Sequence, residues 1–199
     1  MAVQGHAKKK AGDGAQTAGA AGQQTANKKN STGKRSSIYK RQLQEKQKVK
    51  EFYGVREEQF KRFFKLASSG RAGKTGENLL CLLERRVDNI LYRLKMASSR
   101  KQARQMVVHG HVYLNGAKIK SPSMLLKEGD SVSFSPRTLE NKKEFVRTAI
   151  EKRLNIGIKV PEWLELKKND KVGVVSRLPE RSEVQIQAEE HLIVELYSK

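Results

Sequence analysis

Between Met106 and Phe134 the apolar residues change their period. Ala103, Met106 and Val107 fall on one face of a helix. From Val112 the pattern alternates: Val112 and Leu114 flank Tyr113, and Val132 and Phe134 flank Ser133. A period near 3.6 followed by a period of 2 means a helix running into a sheet. The switch is punctuated at both ends. Gly110 suits a helix C-terminus, and Asn115-Gly116 is the sequence of a two-residue type I′ hairpin. Ser99-Arg100-Lys101-Gln102 has capping-box form and opens the helix. Ala117 to Lys120 reads as the return strand, and a turn at Lys127 to Asp130 precedes the last one. Residues 86 to 135 therefore read as a helix–helix–three-strand unit.

The flanks are largely helical. A helix is expected from Ile38 to about Phe52, ended by Gly54. A second, from about Arg56 to Ala67, stacks Phe60, Phe63 and Phe64 at helical spacing, which favours core packing over an aromatic platform for bases. A basic, glycine-rich loop covers Ser68 to Gly76. A third helix is expected from about Glu77 to Leu94 without interruption, with Leu79, Leu80, Leu83, Val87, Ile90, Leu91 and Leu94 inside and Arg86, Asn89 and Arg93 on the other side. Downstream, an amphipathic helix is expected at about Lys142 to Leu154, then short strands at 163–166, 172–175 and 184–186, and a closing helix at Ala188 to Tyr197. The fold class is α+β.

Lys and Arg total 41 against 21 Asp and Glu, a formal net charge of +20. Such a field seeks a polyanion. An anionic membrane is the other candidate, but no apolar run approaches the ~20 residues that span a bilayer. Hydrophobic residues are 37% of the chain, less than the roughly 45–50% of a typical globular protein, so the core is modest. Residues 1 to 36 hold Val3 as their only branched aliphatic and read as a disordered basic tail. That tail lacks the apolar stretch of a secretory signal, and its lysines and missing amphipathic period argue against a mitochondrial transit peptide. Cys81 is the only cysteine, which leaves no intrachain disulfide and no multi-cysteine zinc site. No metal or cofactor is expected, and the setting implied is a reducing cytoplasm.

Catalytic signals are weak. Gly70-Arg71-Ala72-Gly73-Lys74-Thr75 resembles a phosphate-binding loop, but Ser68 stands where the pattern needs glycine, and a helix rather than a strand precedes it. His109-Gly110-His111 lacks the cysteines or acids that would complete a metal site. Neither Gly-x-Ser-x-Gly nor His-Glu-x-x-His occurs, and no carboxylate pair sits in an apolar setting. Asp88 next to Arg85 and Arg86 reads as a structural ion pair. Not an enzyme, then. The strongest constellation is cationic: Arg86, Asn89, Arg93, Ser99, Arg100, Lys101, Gln102, Arg104, His109, His111, Lys118 and Lys120, from two helices and a hairpin. Arg41, Lys46, Lys48 and Lys50 on the first helix, Lys61, Arg62 and Lys65 on the second, and Arg71 and Lys74 in the loop add to it. Arginine forks match phosphate oxygens, and Ser, Asn and Gln bond the 2′-hydroxyl, so structured RNA is the fitting partner.

A specific resemblance rests on Glu84-Arg85-Arg86-Val87-Asp88-Asn89-Ile90-Leu91-Tyr92-Arg93-Leu94, Ser99 to Val107, His109 to Gly116, Pro122-Ser123 and Gly129-Asp130. Together these look like the small RNA-binding domain named after ribosomal protein S-four. The flanks, at Gln42 to Lys50, Tyr53-Gly54-Val55, Thr75 to Leu80, Pro161 to Leu164, Leu178 to Arg181 and His191 to Lys199, resemble the bacterial-type ribosomal S-four family itself, in its zinc-free form, over residues 34 to 199. The resemblance implies a helical domain of residues 37–85 with 188–199, where the C-terminal helix returns to the N-terminal ones, and an RNA-binding domain of residues 86–187. It also implies a protein that binds a multi-helix junction in the 5′ domain of small-subunit rRNA early in assembly. It would sit by the channel through which mRNA enters, beside ribosomal proteins S-three and S-five, and affect decoding accuracy, as a single copy rather than a homo-oligomer. Lys34 and Arg35 match the region facing incoming mRNA. Two rivals are an RNA-modifying enzyme that docks through this domain and a non-specific DNA-binding protein.

Overall fold

A computed structural model describes residues 30–70, 73–136, 138 and 159–198. Among the described residues six α-helices and a five-stranded antiparallel sheet form around two cores, an α+β architecture.

The first core is helical. Helix α1 spans Asn30–Tyr53. Gln42, Lys46, Val49 and Tyr53 recur every three to four residues along it and form its buried side. Gly54, at φ +61°, reverses the chain where a side chain would be strained. Helix α2, Glu57–Ser68, follows with Glu57 and Glu58 in its first turn, where carboxylates offset the helix dipole. Phe60, Phe63 and Ala67 are its buried face, as their spacing required, and Phe64 packs at its margin. Helix α3, Thr75–Glu84, adds Leu79, Leu80 and Leu83. Helix α6, Glu190–Tyr197, comes from the far end of the chain and closes this core with Ile193. Its Tyr197 ring lies 4.5 Å from Phe64 and 6.2 Å from Phe60, and its hydroxyl donates to Glu57 Oε1 at 3.1 Å. Gln42 Nε2 donates to Glu195 Oε2 at 2.9 Å, joining residues 153 apart in sequence.

The second core lies between two short helices and the sheet. Helix α4 is Val87–Arg93 and α5 is Arg100–Val108. Strands β1 (Val112–Leu114), β2 (Ala117–Lys118), β3 (Ser131–Phe134), β4 (Leu164–Lys167) and β5 (Val172–Val175) line up in the order β2-β1-β3-β5-β4. Asn115 and Gly116 take φ of +50° and +79°, the conformation that a type I′ hairpin demands. The Asn115 side chain also accepts from the Ser131 N–H and donates to Asp130 Oδ1, both at 2.8 Å, which fastens the hairpin to β3. Gly173 is required by space: an added Cβ would collide with Leu94 Cδ1, so the C-terminal end of α4 rests directly on β5.

Several elements differ from the sequence reading. Residues 30–36 begin α1 instead of belonging to a disordered tail, although residues 1–29 lie outside the described set. Once a helix is nucleated, each added residue gains a hydrogen bond, so a helix can outrun its apolar pattern. The expected helix from Glu77 to Leu94 is broken at Arg85–Arg86. Arg86 is extended (φ −66°, ψ 139°) and bridges Leu125, while the Val87 and Asp88 N–H groups donate to the Met124 and Pro122 carbonyls. The loop thereby satisfies N–H groups that the new helix start exposes. Val184–Ile186 is no strand: it alternates as a strand would, but its apolar side packs on the helical core instead of the sheet. The return strand is only Ala117–Lys118. The Ser99 hydroxyl caps α5 as expected, accepting from the Gln102 N–H at 3.1 Å, but the Gln102 side chain accepts from the N–H of Ser98 rather than Ser99. The expected helix at 142–154 lies outside the described residues.

Candidate nucleic-acid interface

The basic constellation divides into two sets when the chain folds. One set is buried. Arg86 and Asn89 are each 1% exposed and Arg93 is 6% exposed. They meet two carboxylates, Glu84 and Asp88, each also 1% exposed. Glu84 accepts from four donors: the Tyr53 hydroxyl at 2.7 Å, Asn89 Nδ2 at 2.6 Å, and Arg93 through Nη2 at 2.6 Å and Nε at 3.0 Å. Asp88 is gripped by Arg86, at 3.0 and 2.6 Å, and by Arg104, at 3.2 and 2.8 Å. Arg86, Asn89 and Arg93 are therefore not an outward face for phosphates. The break after Glu84 turns them inward, because the helix axis that would have carried them outside ends there.

Arg100 and Arg104 hold an intermediate place. The Arg100 guanidinium lies 4.3 Å from the Phe52 ring, 4.6 Å from Tyr92 and 5.3 Å from Tyr53, and its Nε donates to Asn89 Oδ1 at 2.8 Å. Arg104 Nη1 donates to the Gly54 carbonyl at 2.8 Å. Both side chains start on α5 and end against the C-terminus of α1, so they tie the sheet-bearing unit to the helical one. Burial lowers the Arg100 pKa, and the neighbouring Arg93 charge adds to the shift. Burial, then the Glu84 carboxylate, raises the Tyr53 pKa, which keeps the hydroxyl proton available for its bond to Glu84.

The second set faces solvent. Lys61, Arg62 and Lys65 are exposed along α2, Lys101 on α5, and His109, His111, Lys118 and Lys120 on and around the hairpin. Among the described residues none of the lysines and arginines in this set has an ion-pair partner. His111 Nδ1 lies 3.0 Å from Thr138 Oγ1, and the His109 and His111 rings are parallel within 10° at 6.1 Å. Ser99 is exposed at its cap, and Gln102 is occupied by Ser98. A cleft of about 320 Å³ separates Gln59, Arg62 and Phe63 of α2 from Ser121, Ser123 and Met124 of the other unit. Arg62 is the cation among the residues that line this cleft.

The remaining sequence candidates serve the helical scaffold or stand alone. Lys46 is buried and Lys50 half-buried, both on Glu57 at 2.6 and 3.1 Å. Lys48 pairs with Glu45, Arg41 with Glu189 and Lys74 with Glu77, all with the cation exposed. Lys34 and Arg35 fall within α1. Arg71 lies outside the described residues. Glu84 and Tyr53 were not foreseen as a hub. The signal was present in charge balance: two acids, Glu84 and Asp88, stand among Arg85, Arg86 and Arg93 in a segment otherwise apolar. Among the described residues no helix is long and apolar enough to cross a membrane, and no group of three or more His, Cys, Asp or Glu gathers as a metal site.

Two family models match the chain. The "Ribosomal protein S4/S9 N-terminal domain" covers residues 5–84 and the "S4 domain" covers residues 85–132. Their boundary coincides with the break between α3 and α4. Among curated proteins, the small ribosomal subunit protein uS4 of Thermoanaerobacter sp. (strain X514) is 48% identical over 166 residues, 83% of this chain and 77% of that protein. The uS4 protein of Geotalea daltonii is 48% identical over 165 residues, with the same shares. That of Clostridioides difficile is 44% identical over 166 residues, again with those shares. With 44–48% identity over 83% of its length to these proteins and family models over residues 5–132, this chain belongs to the small ribosomal subunit protein uS4 family.

Proposed function

We propose that this protein is a primary binder of small-subunit rRNA that organises a helical junction in the 5′ domain during assembly. The family is one of structural, non-enzymatic ribosome components with an RNA-binding module. The observation that carries the finer reading is that both units present exposed cations, Lys61, Arg62 and Lys65 on α2 and Lys101, Lys118 and Lys120 on the sheet-bearing unit, with no ion-pair partner among the described residues. Basic surfaces on two units joined through Arg100 and Arg104 suit neighbouring RNA helices whose phosphates repel one another. The Glu84–Asp88 hub supports the reading by tying the two basic surfaces together. On the same reading the protein works in the cytoplasm, on the small subunit. It lies by the channel through which mRNA enters, with Lys34 and Arg35 toward the message and ribosomal proteins S-three and S-five as neighbours, and it influences translational accuracy.

Binding of the purified chain to a transcript of the 5′-domain junction tests the proposal. If ~8 phosphates are neutralised, log affinity falls with log salt at a slope of roughly −6 to −7. The same junction made of DNA binds much less tightly, because the 2′-hydroxyls and A-form groove are gone. A slope near −1, or equal affinity for both polymers, refutes it.

A further inference from the structure

The strand register creates a second surface. Tyr113 of β1 pairs with Lys118 of β2 and with Ser133 of β3; Ser133 pairs with Val172 of β5, and Val172 with Lys167 of β4. These five residues form one continuous row across the whole sheet. The row beside them is Ser131, Val174 and Glu165. Side chains alternate across a sheet. The interleaved residues Val112, Val132, Phe134, Leu164 and Val175 belong to the core under α4 and α5, whereas Tyr113, Val172 and Val174 belong to neither core. Tyr113 and its row therefore lie on the face away from those helices.

That face has a particular make-up. A half-buried aromatic ring stands one strand in from the β2 edge, with the small Ser133 and then the branched Val172 next along the row. Exposed lysines mark both edges, Lys118 on β2 and Lys167 on β4. Four strand spacings of ~4.8 Å put their Cα atoms ~19 Å apart. Lys120 and His111, both exposed, extend the basic character on one side of the row, and Glu165 bounds it on the other. A sheet face that presents a ring between cations is one way single-stranded nucleic acid is held. The ring stacks on a base, and the cations take phosphates. Duplex RNA is a poorer match, since its bases are already stacked and offer no face to Tyr113.

We infer that the face of the sheet away from α4 and α5 binds a short unpaired stretch of RNA, running along the Lys118–Tyr113–Ser133–Val172–Lys167 row, with a base stacked on Tyr113. The inference rests on the RNA-binding reading above and adds a second contact, on the opposite side of the sheet from α4 and α5.

The test uses the full chain and a 5′-domain rRNA transcript carrying its single-stranded linkers. Three variants are compared with the parent: Tyr113→Ala, Tyr113→Phe and the double change Lys118→Gln with Lys167→Gln. Thermal melts check that all fold. Tyr113→Ala weakens binding about five- to a hundredfold, the loss of one base–aromatic stack, while Tyr113→Phe binds as the parent does. The lysine double variant lowers the salt slope by ~1.4, about 0.7 for each single-strand phosphate contact. Photo-crosslinking followed by peptide sequencing places an RNA adduct on Tyr113. If the parent binds the transcript with its steep salt slope but all three variants match it and no adduct forms at Tyr113, the second surface is refuted and the first stands. If the parent itself shows no preference for the transcript over DNA, both fall.

Discussion

Arg104 reaches from α5 to the backbone of Gly54, its Nη1 donating to that carbonyl at 2.8 Å across fifty residues of sequence. The same guanidinium holds Asp88 through two further bonds. One side chain thus spans from α5 to the turn after α1. Arg104→Ala removes three hydrogen bonds at a partly exposed position, and a loss of about 1–3 kcal/mol is expected. Arg104→Lys cannot serve all three sites and is expected to recover only part of it. Urea denaturation of the three proteins, compared at fixed ionic strength, is the check.

Glu84 is the more severe position. Glu84→Ala leaves Arg93 buried beside Arg100 without a counter-charge and strips the Tyr53 hydroxyl of its acceptor. Removing one partner of a buried ion pair costs about 3–5 kcal/mol. The variant is expected to unfold at markedly lower denaturant concentration, and near-parental stability in that titration contradicts the hub.

Acid acts through Glu57. Burial alone would raise its pKa, but hydrogen bonds from Lys46, Lys50 and Tyr197 overcome this and hold it at about 2. The folded pKa lies below the unfolded value of about 4.3. Glu57 therefore contributes stability that is complete above the unfolded value and is lost as pH falls toward 2. Melting temperatures between pH 6 and pH 2 should fall for the parent, and Glu57→Gln should flatten that part of the decline.

Surface and buried cations should separate in their effects. A triple change of Lys61, Arg62 and Lys65 to Gln is expected to leave the melting temperature nearly unchanged and to reduce the salt slope of RNA binding by up to ~2 to 3, at ~0.7 to 0.9 per lost contact. Arg93→Gln is expected to do the reverse. A parallel series of melts and salt titrations distinguishes the two classes.

Gly173 has no room for a side chain. Gly173→Ala would force Leu94 off its position against β5, and overpacking of this kind costs about 1–3 kcal/mol. Paired Gly173→Ala and Leu94→Ala changes should be less than additive in denaturation, since the second makes space for the first.

Local chemistry made much of this legible. Asn115-Gly116 announced its hairpin, Ser99 its cap, and Phe60 and Phe63 their buried face, because each effect depends on residues within a turn of one another. The inward turn of Arg86, Asn89 and Arg93 depends instead on the carbonyls of Met124 and Pro122, some 35 residues downstream, which take the N–H groups of Val87 and Asp88. The helical spacing of the apolar residues from Leu79 to Leu94 continues through that break. For the same reason Val184 and Ile186, with a strand's alternation, gave no sign that helices rather than strands would receive them. The cationic site was readable as a class of residues. Which members would face outward was settled only by tertiary packing.

The helical core takes its walls from opposite ends of the chain, α1 to α3 before the sheet and Val184, Ile186 and Ile193 after it. During synthesis, every residue of the sheet-centred core is therefore polymerised before the helical one has its last wall. Until Ile193 and Tyr197 have left the exit tunnel, Val49, Phe60 and Leu80 lack the neighbours that cover them, and the nascent chain carries an apolar flank that its own final turn must seal.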